Sequence, residues 1–140
     1  MIVTLDTNFL MLHYFSKEET VLSRTRDILR ACRRLGNRGI VPTIVLAEFH
    51  ALTHKRAGMV VADKCFNELV NSGLKVTDLT LEISREAAVL RVKYEEKIPW
   101  ADCIIAATAC LNRSHTLLSE DPHFKKVREV NAKTLSELRI

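Results

Sequence analysis

Long hydrophobic runs are absent from this sequence, and proline and glycine are scarce. No uncharged stretch approaches the ~20 apolar residues of a membrane-spanning helix, so we predict no membrane contact. With three prolines and four glycines in 140 residues, the chain is neither collagen-like nor rich in flexible linkers. The apolar N-terminal segment lacks a basic start and is interrupted by Asp6, which argues against a secretory signal. We therefore predict one cytoplasmic globular domain over residues 1–140.

Cysteine is limited to four positions without a C-x-x-C pair: Cys32, Cys65, Cys103 and Cys110. Each falls within a helical apolar pattern, so we interpret all four as small buried hydrophobic residues. This argues against a zinc knuckle or a disulfide framework. His50 and His54 stand four residues apart, which leaves a shared zinc ion as an alternative. Helical geometry places His50 ~200° from Glu48, so we do not expect these two side chains to share a pocket.

Short apolar segments alternate with helical patterns along the chain. Four short segments have the apolar composition or the alternating pattern that is typical of β-strands. They are residues 2–5, 39–42, 74–79 and 115–119. Apolar residues at helical spacing predict helices from Phe9 onward and at about 22–35, 44–57, 60–71, 80–97 and 99–111. Ser16 with Glu19 has the spacing of a capping box, and Thr43 is a candidate N-cap. The alternation predicts an α/β fold with a mainly parallel sheet.

Four acidic residues lie where these patterns predict burial or the end of a strand. Asp6 and Asp121 each follow a strand, whereas Glu48 and Asp102 stand in apolar helical segments. A buried carboxylate costs several kcal/mol unless it is paired or binds a cation. Each acid also has an ordinary structural explanation. An Asp can cap a helix or be stabilised by the dipole at the helix N-terminus, and Glu48 could reach solvent. If the sheet brings the acids together, their repulsion favours a cation, and oxygen ligands suit Mg²⁺ or Mn²⁺.

The motifs around these acids resemble, in order along the chain, those of a PIN domain. The VapC-type toxins of prokaryotic toxin–antitoxin pairs are the most similar branch, over essentially the whole chain. The motifs are DTN at Asp6, VPTIVLAEF at Glu48, IPWADCIIAATA at Asp102 and SEDPHF at Asp121. The resemblance implies a three-layer α/β/α sandwich with a central, mainly parallel sheet. It also implies a Mg²⁺- or Mn²⁺-dependent endoribonuclease that cleaves single-stranded regions of RNA, often as a homodimer silenced by an antitoxin protein.

Individual roles follow from this resemblance residue by residue. It implies that the catalytic acids and metal ligands are Asp6, Glu48, Asp102 and Asp121, with Asn8 and Ser119 supporting them. His123 departs from the family pattern, because many relatives carry a second acid at this position, and the change could loosen a second metal site. We interpret Trp100 as a packing residue, with a base-stacking surface as the alternative.

Basic residues offer a further link to a polyanion, although the net charge is only +4. Two groups stand out, namely Arg26, Arg30, Arg33 and Arg34 in one helix and Lys125, Lys126 and Arg128 after Asp121. Either group could contact phosphates, and a solvated surface is the alternative for both.

Other functions stay open on the sequence alone. A haloacid-dehalogenase-type phosphatase needs a second Asp where this chain has Asn8, and a receiver-type domain needs an acidic pair after the first strand. A catalytically silent PIN-fold module that binds RNA or protein is the main alternative to a toxin nuclease. A housekeeping PIN nuclease without an antitoxin is another. The four acids favour an enzyme, because a decayed member is expected to lose some of them.

Overall fold

A computed structural model describes residues 1–140, which contain five short strands and six α-helices. The strands are β1 (Ile2–Leu5), β2 (Arg38–Pro42), β3 (Lys75–Thr77), β4 (Thr116–Leu118) and β5 (Ala132–Lys133). The helices are α1 (Thr7–Phe15), α2 (Glu19–Cys32), α3 (Thr43–Ala57), α4 (Met59–Val70), α5 (Leu81–Lys93) and α6 (Trp100–Leu111). A short 3₁₀ helix, Pro122–Lys126, precedes β5. None of the helices is both long and apolar enough to cross a membrane.

All five strands form one parallel sheet in the order β3-β2-β1-β4-β5. In the central strand, Val3, Thr4 and Leu5 are each 0% exposed. Successive strand residues point to opposite faces, so this pattern requires cover on both faces of the sheet. Helices supply that cover, and the predicted three-layer α/β/α sandwich with a parallel sheet is confirmed.

Strand order reverses at β1, which pairs with β2 on one side and with β4 on the other. Leu5 lies opposite Leu118 in the β1–β4 register, and the backbone N–H of Asp6 donates to the carbonyl of Leu118 at 3.2 Å. Asp6 and Ser119 therefore leave the sheet side by side. Open α/β sheets bind ligands in the crevice at such a reversal, outside the carboxyl ends of the strands.

Helix ends differ from the predicted ones at several places. Ser16 ends α1, and its hydroxyl accepts the N–H of Glu18 at 3.2 Å, so the predicted capping box with Glu19 is wrong. Thr43 is already helical, because Pro42 before it has the extended backbone of an N-cap. The helix predicted to reach residue 97 ends at Lys93, and two following residues adopt positive φ angles, Glu95 at 57° and Glu96 at 60°.

Cysteine burial agrees with the interpretation from the sequence. All four thiols are free, and Cys32, Cys65 and Cys103 are buried, whereas Cys110 is partly exposed. Cys32 packs closely against β2, because a Cβ atom built on Gly39 would lie 2.9 Å from Cys32 Cβ and 2.7 Å from Leu74 Cδ2. Such distances exclude a side chain at Gly39, so α2 sits directly on the strand backbone there.

Candidate functional site

A cleft of about 240 Å³ opens at the carboxyl edge of the sheet, where the strand order reverses. The structure brings all four acids singled out in the sequence to this cleft. Its lining residues are Asp6, Thr7, Asn8, Met11, Glu48, Leu52, Asp102 and Asp121. Asp6 comes from the end of β1, Glu48 from α3, Asp102 from the first turn of α6, and Asp121 from the turn after β4.

Ser119 is the centre of a hydrogen-bond network beneath the cleft. Its hydroxyl donates to Asp6 Oδ2 at 2.6 Å and accepts from Asn8 Nδ2 at 3.1 Å and from the backbone N–H of Asp121 at 3.0 Å. One donor and two acceptor positions are all that a hydroxyl offers, so this buried side chain is saturated. The side-chain oxygen Oδ1 of Asn8 accepts the N–H of Glu120 at 3.2 Å. Together these contacts join the ends of β1 and β4.

Asp6 is both a helix cap and a cleft residue. Its side chain is buried, and Oδ1 accepts the N–H of Thr7 at 2.7 Å at the start of α1. Burial raises the pKa of Asp6 and outweighs the hydrogen bonds from Ser119 and Thr7, which lower it. The charges of Glu48 and Asp121 raise the pKa further. Capping and a functional role are thus compatible at this residue.

Thr7 holds Glu48, a contact that the sequence patterns do not identify. The Thr7 hydroxyl donates to Glu48 Oε1 at 2.8 Å across 41 positions of sequence. Glu48 therefore does not escape to solvent but faces the cleft from α3. The only local feature that points to Thr7 is its position directly after Asp6. There, a small hydroxyl residue begins α1 at the edge of the sheet.

Asp102 has a strongly raised pKa in the cleft. Its side chain is 14% exposed and accepts no hydrogen bond from the protein. Burial raises the pKa of Asp102 to about 6, aided by the negative charges of Asp121, Asp6 and Glu48 and opposed by His123. Ionisation of Asp102 therefore has a free-energy cost in the folded protein, which a positive charge in the cleft would reduce.

His123 joins Asp102 and Asp121 at the rim of the cleft. Its Nδ1 atom lies 3.3 Å from Asp121 Oδ1 and 3.6 Å from Asp102 Oδ2. One ligand atom from each of the three residues lies within 4.8 Å of the others. The family resemblance marks position 123 only as one where many relatives carry an acid. Its spacing of two residues from a strand-end Asp is the signal that it faces the same cleft.

Other residues singled out from the sequence lie outside the cleft. His50 Nε2 is 2.8 Å from Asp63 Oδ1, and no third ligand completes a zinc site with His54. Trp100 is 52% exposed, with the Arg91 guanidinium 5.4 Å from its ring centroid, so the interpretation of Trp100 as a packing residue is wrong. Two of the four arginines, Arg26 and Arg30, agree with the solvated alternative, since Arg26 pairs with Glu19 and Arg30 pairs with Asp27 on the exposed surface.

A family model described as PIN domain matches residues 3–130. This agrees with the resemblance inferred from the motifs. No curated protein matches the chain.

Solved structures share the fold over nearly the whole chain. VapBC2 from Rickettsia felis, bound to a DNA fragment from its promoter, has a TM-score of 0.76 at 20% identity and covers 96% of this chain and 98% of that chain. DNA-bound VapBC from Salmonella typhimurium has a TM-score of 0.78 at 16% identity and covers 96% of this chain and 98% of that chain. VapC20 from Mycobacterium tuberculosis has a TM-score of 0.73 at 16% identity and covers 90% of this chain and 95% of that chain. VapC20 is a toxin that cleaves the sarcin–ricin loop.

Proposed function

The chain belongs to the PIN domain family, and from that premise we propose that it is a divalent-metal-dependent endoribonuclease that cleaves single-stranded regions of RNA. The observation that carries the proposal is the convergence of Asp6, Glu48, Asp102 and Asp121 in one cleft. We further propose that the protein acts in the cytoplasm as the toxin of a toxin–antitoxin pair, as a homodimer. This second step is supported by the fold shared with VapBC proteins.

The donor set of the cleft fits a small divalent cation. Asp6 uses one lone pair on each oxygen for the bonds from Ser119 and Thr7, which leaves further acceptor positions on the same carboxylate. Burial and mutual repulsion raise the pKa of both Asp6 and Asp102, and a bound cation would relieve that repulsion. Carboxylates and water are the ligands that Mg²⁺ and Mn²⁺ prefer. When bound, such an ion supplies charge neutralisation at a phosphodiester and a more acidic water molecule.

Each cleft residue has a distinct role in this proposal. Asp6, Asp102 and Asp121 hold the cation directly or through water. Glu48 is fixed at Oε1 by the Thr7 hydroxyl, which leaves Oε2 available to orient the attacking water or a second ion. Ser119 and Asn8 position Asp6 against the turn that carries Asp121. Lys126 and Arg128, just beyond that turn, would contact the RNA backbone, joined by Lys125 when it leaves its ion pair with Glu137.

Cleavage of RNA by the purified protein tests the proposal. Structured and unstructured RNAs are incubated with Mn²⁺ or with EDTA, and the products are resolved on a gel. We expect cleavage of unpaired regions that requires metal and falls to background in Asp6→Asn and in Asp102→Asn, with RNA binding retained. Asp78→Asn changes an exposed acid outside the cleft and is the matched control, with wild-type activity expected.

Different outcomes separate the alternatives to a toxin nuclease. Metal-independent RNA binding without cleavage, unchanged in Asp6→Asn, would instead support a silent binding module. Cleavage without inhibition by any small protein encoded next to this chain would support a housekeeping nuclease. Light scattering of the purified protein tests the homodimer, since a monomeric mass at micromolar concentration would exclude it.

A further inference from the structure

We propose that His123 is itself a metal ligand, so that one imidazole nitrogen joins the carboxylates of Asp102 and Asp121 and shifts the preference of the cleft from Mg²⁺ towards Mn²⁺. The inference rests on the proposed function only in that a divalent cation binds the cleft. It names a donor that differs from the acid carried by many relatives at this position.

The geometry of the three side chains allows a shared ion. Their ligand atoms lie within 4.8 Å of one another. Two ligands on opposite sides of an ion, each at about 2.1 Å, are separated by about 4.2 Å. A small change in side-chain torsions is therefore enough to place all three donors around one ion. The His123 ring is 46% exposed, so it reaches the ion from the solvent side of the cleft without the cost of burial.

The backbone around His123 is held firmly in place. Its N–H donates to Asp121 Oδ1 at 2.9 Å, and the N–H of Asp121 donates to Ser119 Oγ at 3.0 Å. Pro122 occupies the first turn of the 3₁₀ helix, where its fixed φ angle suits the turn. Phe124 follows in the core at 0% exposure and anchors the turn. The backbone of His123 is therefore fixed beside the two acids, and its ring lies within 3.6 Å of both.

Ligand chemistry determines which ions gain from this arrangement. Mg²⁺ is a hard ion that prefers carboxylates and water, whereas imidazole nitrogen suits first-row transition metals. A histidine in place of a carboxylate also removes one negative charge from the cleft, and that loss weakens Mg²⁺ binding without the compensation of a stronger bond. Mn²⁺ accepts both oxygen and nitrogen donors, so its affinity for the cleft falls less than that of Mg²⁺. The preference for Mn²⁺ over Mg²⁺ follows from both effects.

Pulsed electron paramagnetic resonance tests direct coordination. Mn²⁺ is added to the metal-free protein, and the nitrogen hyperfine coupling of the bound ion is recorded. We expect imidazole coupling in the wild type and its loss in His123→Asn and His123→Asp. His54→Asn replaces an exposed histidine that does not line the cleft and should keep the coupling. Isotopic labelling of histidine in the wild type should change the coupling, and this measurement needs no variant that might fold poorly.

Calorimetry measures the preference between ions. The ratio of the Mg²⁺ to the Mn²⁺ dissociation constant should fall by about tenfold or more in His123→Asp, since even residues behind a ligand alter metal affinity by 10–100-fold. Mn²⁺ binding without imidazole coupling would overturn the role of His123 while leaving the proposed nuclease intact. Absence of any divalent cation binding by the wild type would overturn both. Coupling that survives in His123→Asn would also overturn the assignment.

Discussion

On one side of the cleft Asp6 and Glu48 each accept a hydroxyl hydrogen bond, whereas on the other side Asp102 accepts no hydrogen bond from the protein. We call these the hydrogen-bonded side, held by Ser119 and Thr7, and the charged side, formed by Asp102, Asp121 and His123. The first is fully arranged in the protein alone. On the second side, burial and the neighbouring acids disfavour the ionised form of Asp102. A cation therefore has most to contribute on the charged side.

The largest expected change in the free energy of unfolding comes from a substitution on the charged side. The pKa of Asp102 is raised from 3.8 to about 6, so between these values the folded protein holds a proton that the unfolded chain releases. Stability falls as the pH rises through this window, and the full cost is present at neutral pH. We expect Asp102→Asn to stabilise the metal-free protein at pH 7 by roughly 2–3 kcal/mol, and by close to zero near pH 4.

Urea denaturation of both proteins across this pH range measures the difference, with Asp78→Asn expected within about 0.5 kcal/mol of the wild type throughout. Saturating Mn²⁺ should reverse the order, because the wild type gains more binding energy than Asp102→Asn. A destabilised Asp102→Asn at pH 7 without metal would show that the charged side is held by unrecognised favourable contacts, and the contrast between the two sides would then fail.

A smaller effect of opposite sign is expected on the hydrogen-bonded side. Ser119→Ala removes three hydrogen bonds at once and leaves Asp6 Oδ2, Asn8 Nδ2 and the N–H of Asp121 without this partner. We expect a loss of about 2 kcal/mol in the free energy of unfolding at neutral pH, because buried polar groups without partners are costly. The same urea experiment measures it. Ser84→Ala on the exposed face of α5 is the control, and an equal loss there would remove the special role of Ser119.

The smallest effect on stability is expected at Thr7. Thr7→Val keeps the shape of the side chain but removes the donor to Glu48 Oε1. We expect a loss of about 1 kcal/mol in stability. RNA cleavage should fall by about tenfold or more, because Glu48 loses its fixed orientation. Thr20→Val, at an exposed position of α2, should leave cleavage unchanged. Full activity in Thr7→Val would mean that Glu48 needs no support from the hydrogen-bonded side.

The positions of the acids could be predicted because they depend on patterns that reach only a few residues. Asp6 and Asp121 follow strands, and strand ends of a parallel sheet converge on one edge. The direction of His50 away from Glu48 follows from the helical repeat, and it is confirmed by the bond from His50 to Asp63. These are consequences of backbone periodicity, which sequence patterns report directly.

Side-chain partners distant in sequence could not be predicted in the same way. The hydroxyl of Ser119 meets Asp6 across 113 positions, and that contact depends on the β1–β4 register. The sequence does not predict the short β5 strand, because two residues, Ala132–Lys133, carry no detectable alternation. The apolar character of Trp100 favours burial, whereas its place at the start of α6 leaves the ring half exposed against Arg91.

The two outer strands of the sheet are short. β3 has three residues, as has the inner strand β4, and β5 has two. An edge this short offers few free N–H and C=O groups to another chain, so the sheet is a poor template for continuation from one molecule to the next. Two copies joined through these edges would gain only a handful of hydrogen bonds. Pairing of two copies through the sheet edges is therefore disfavoured.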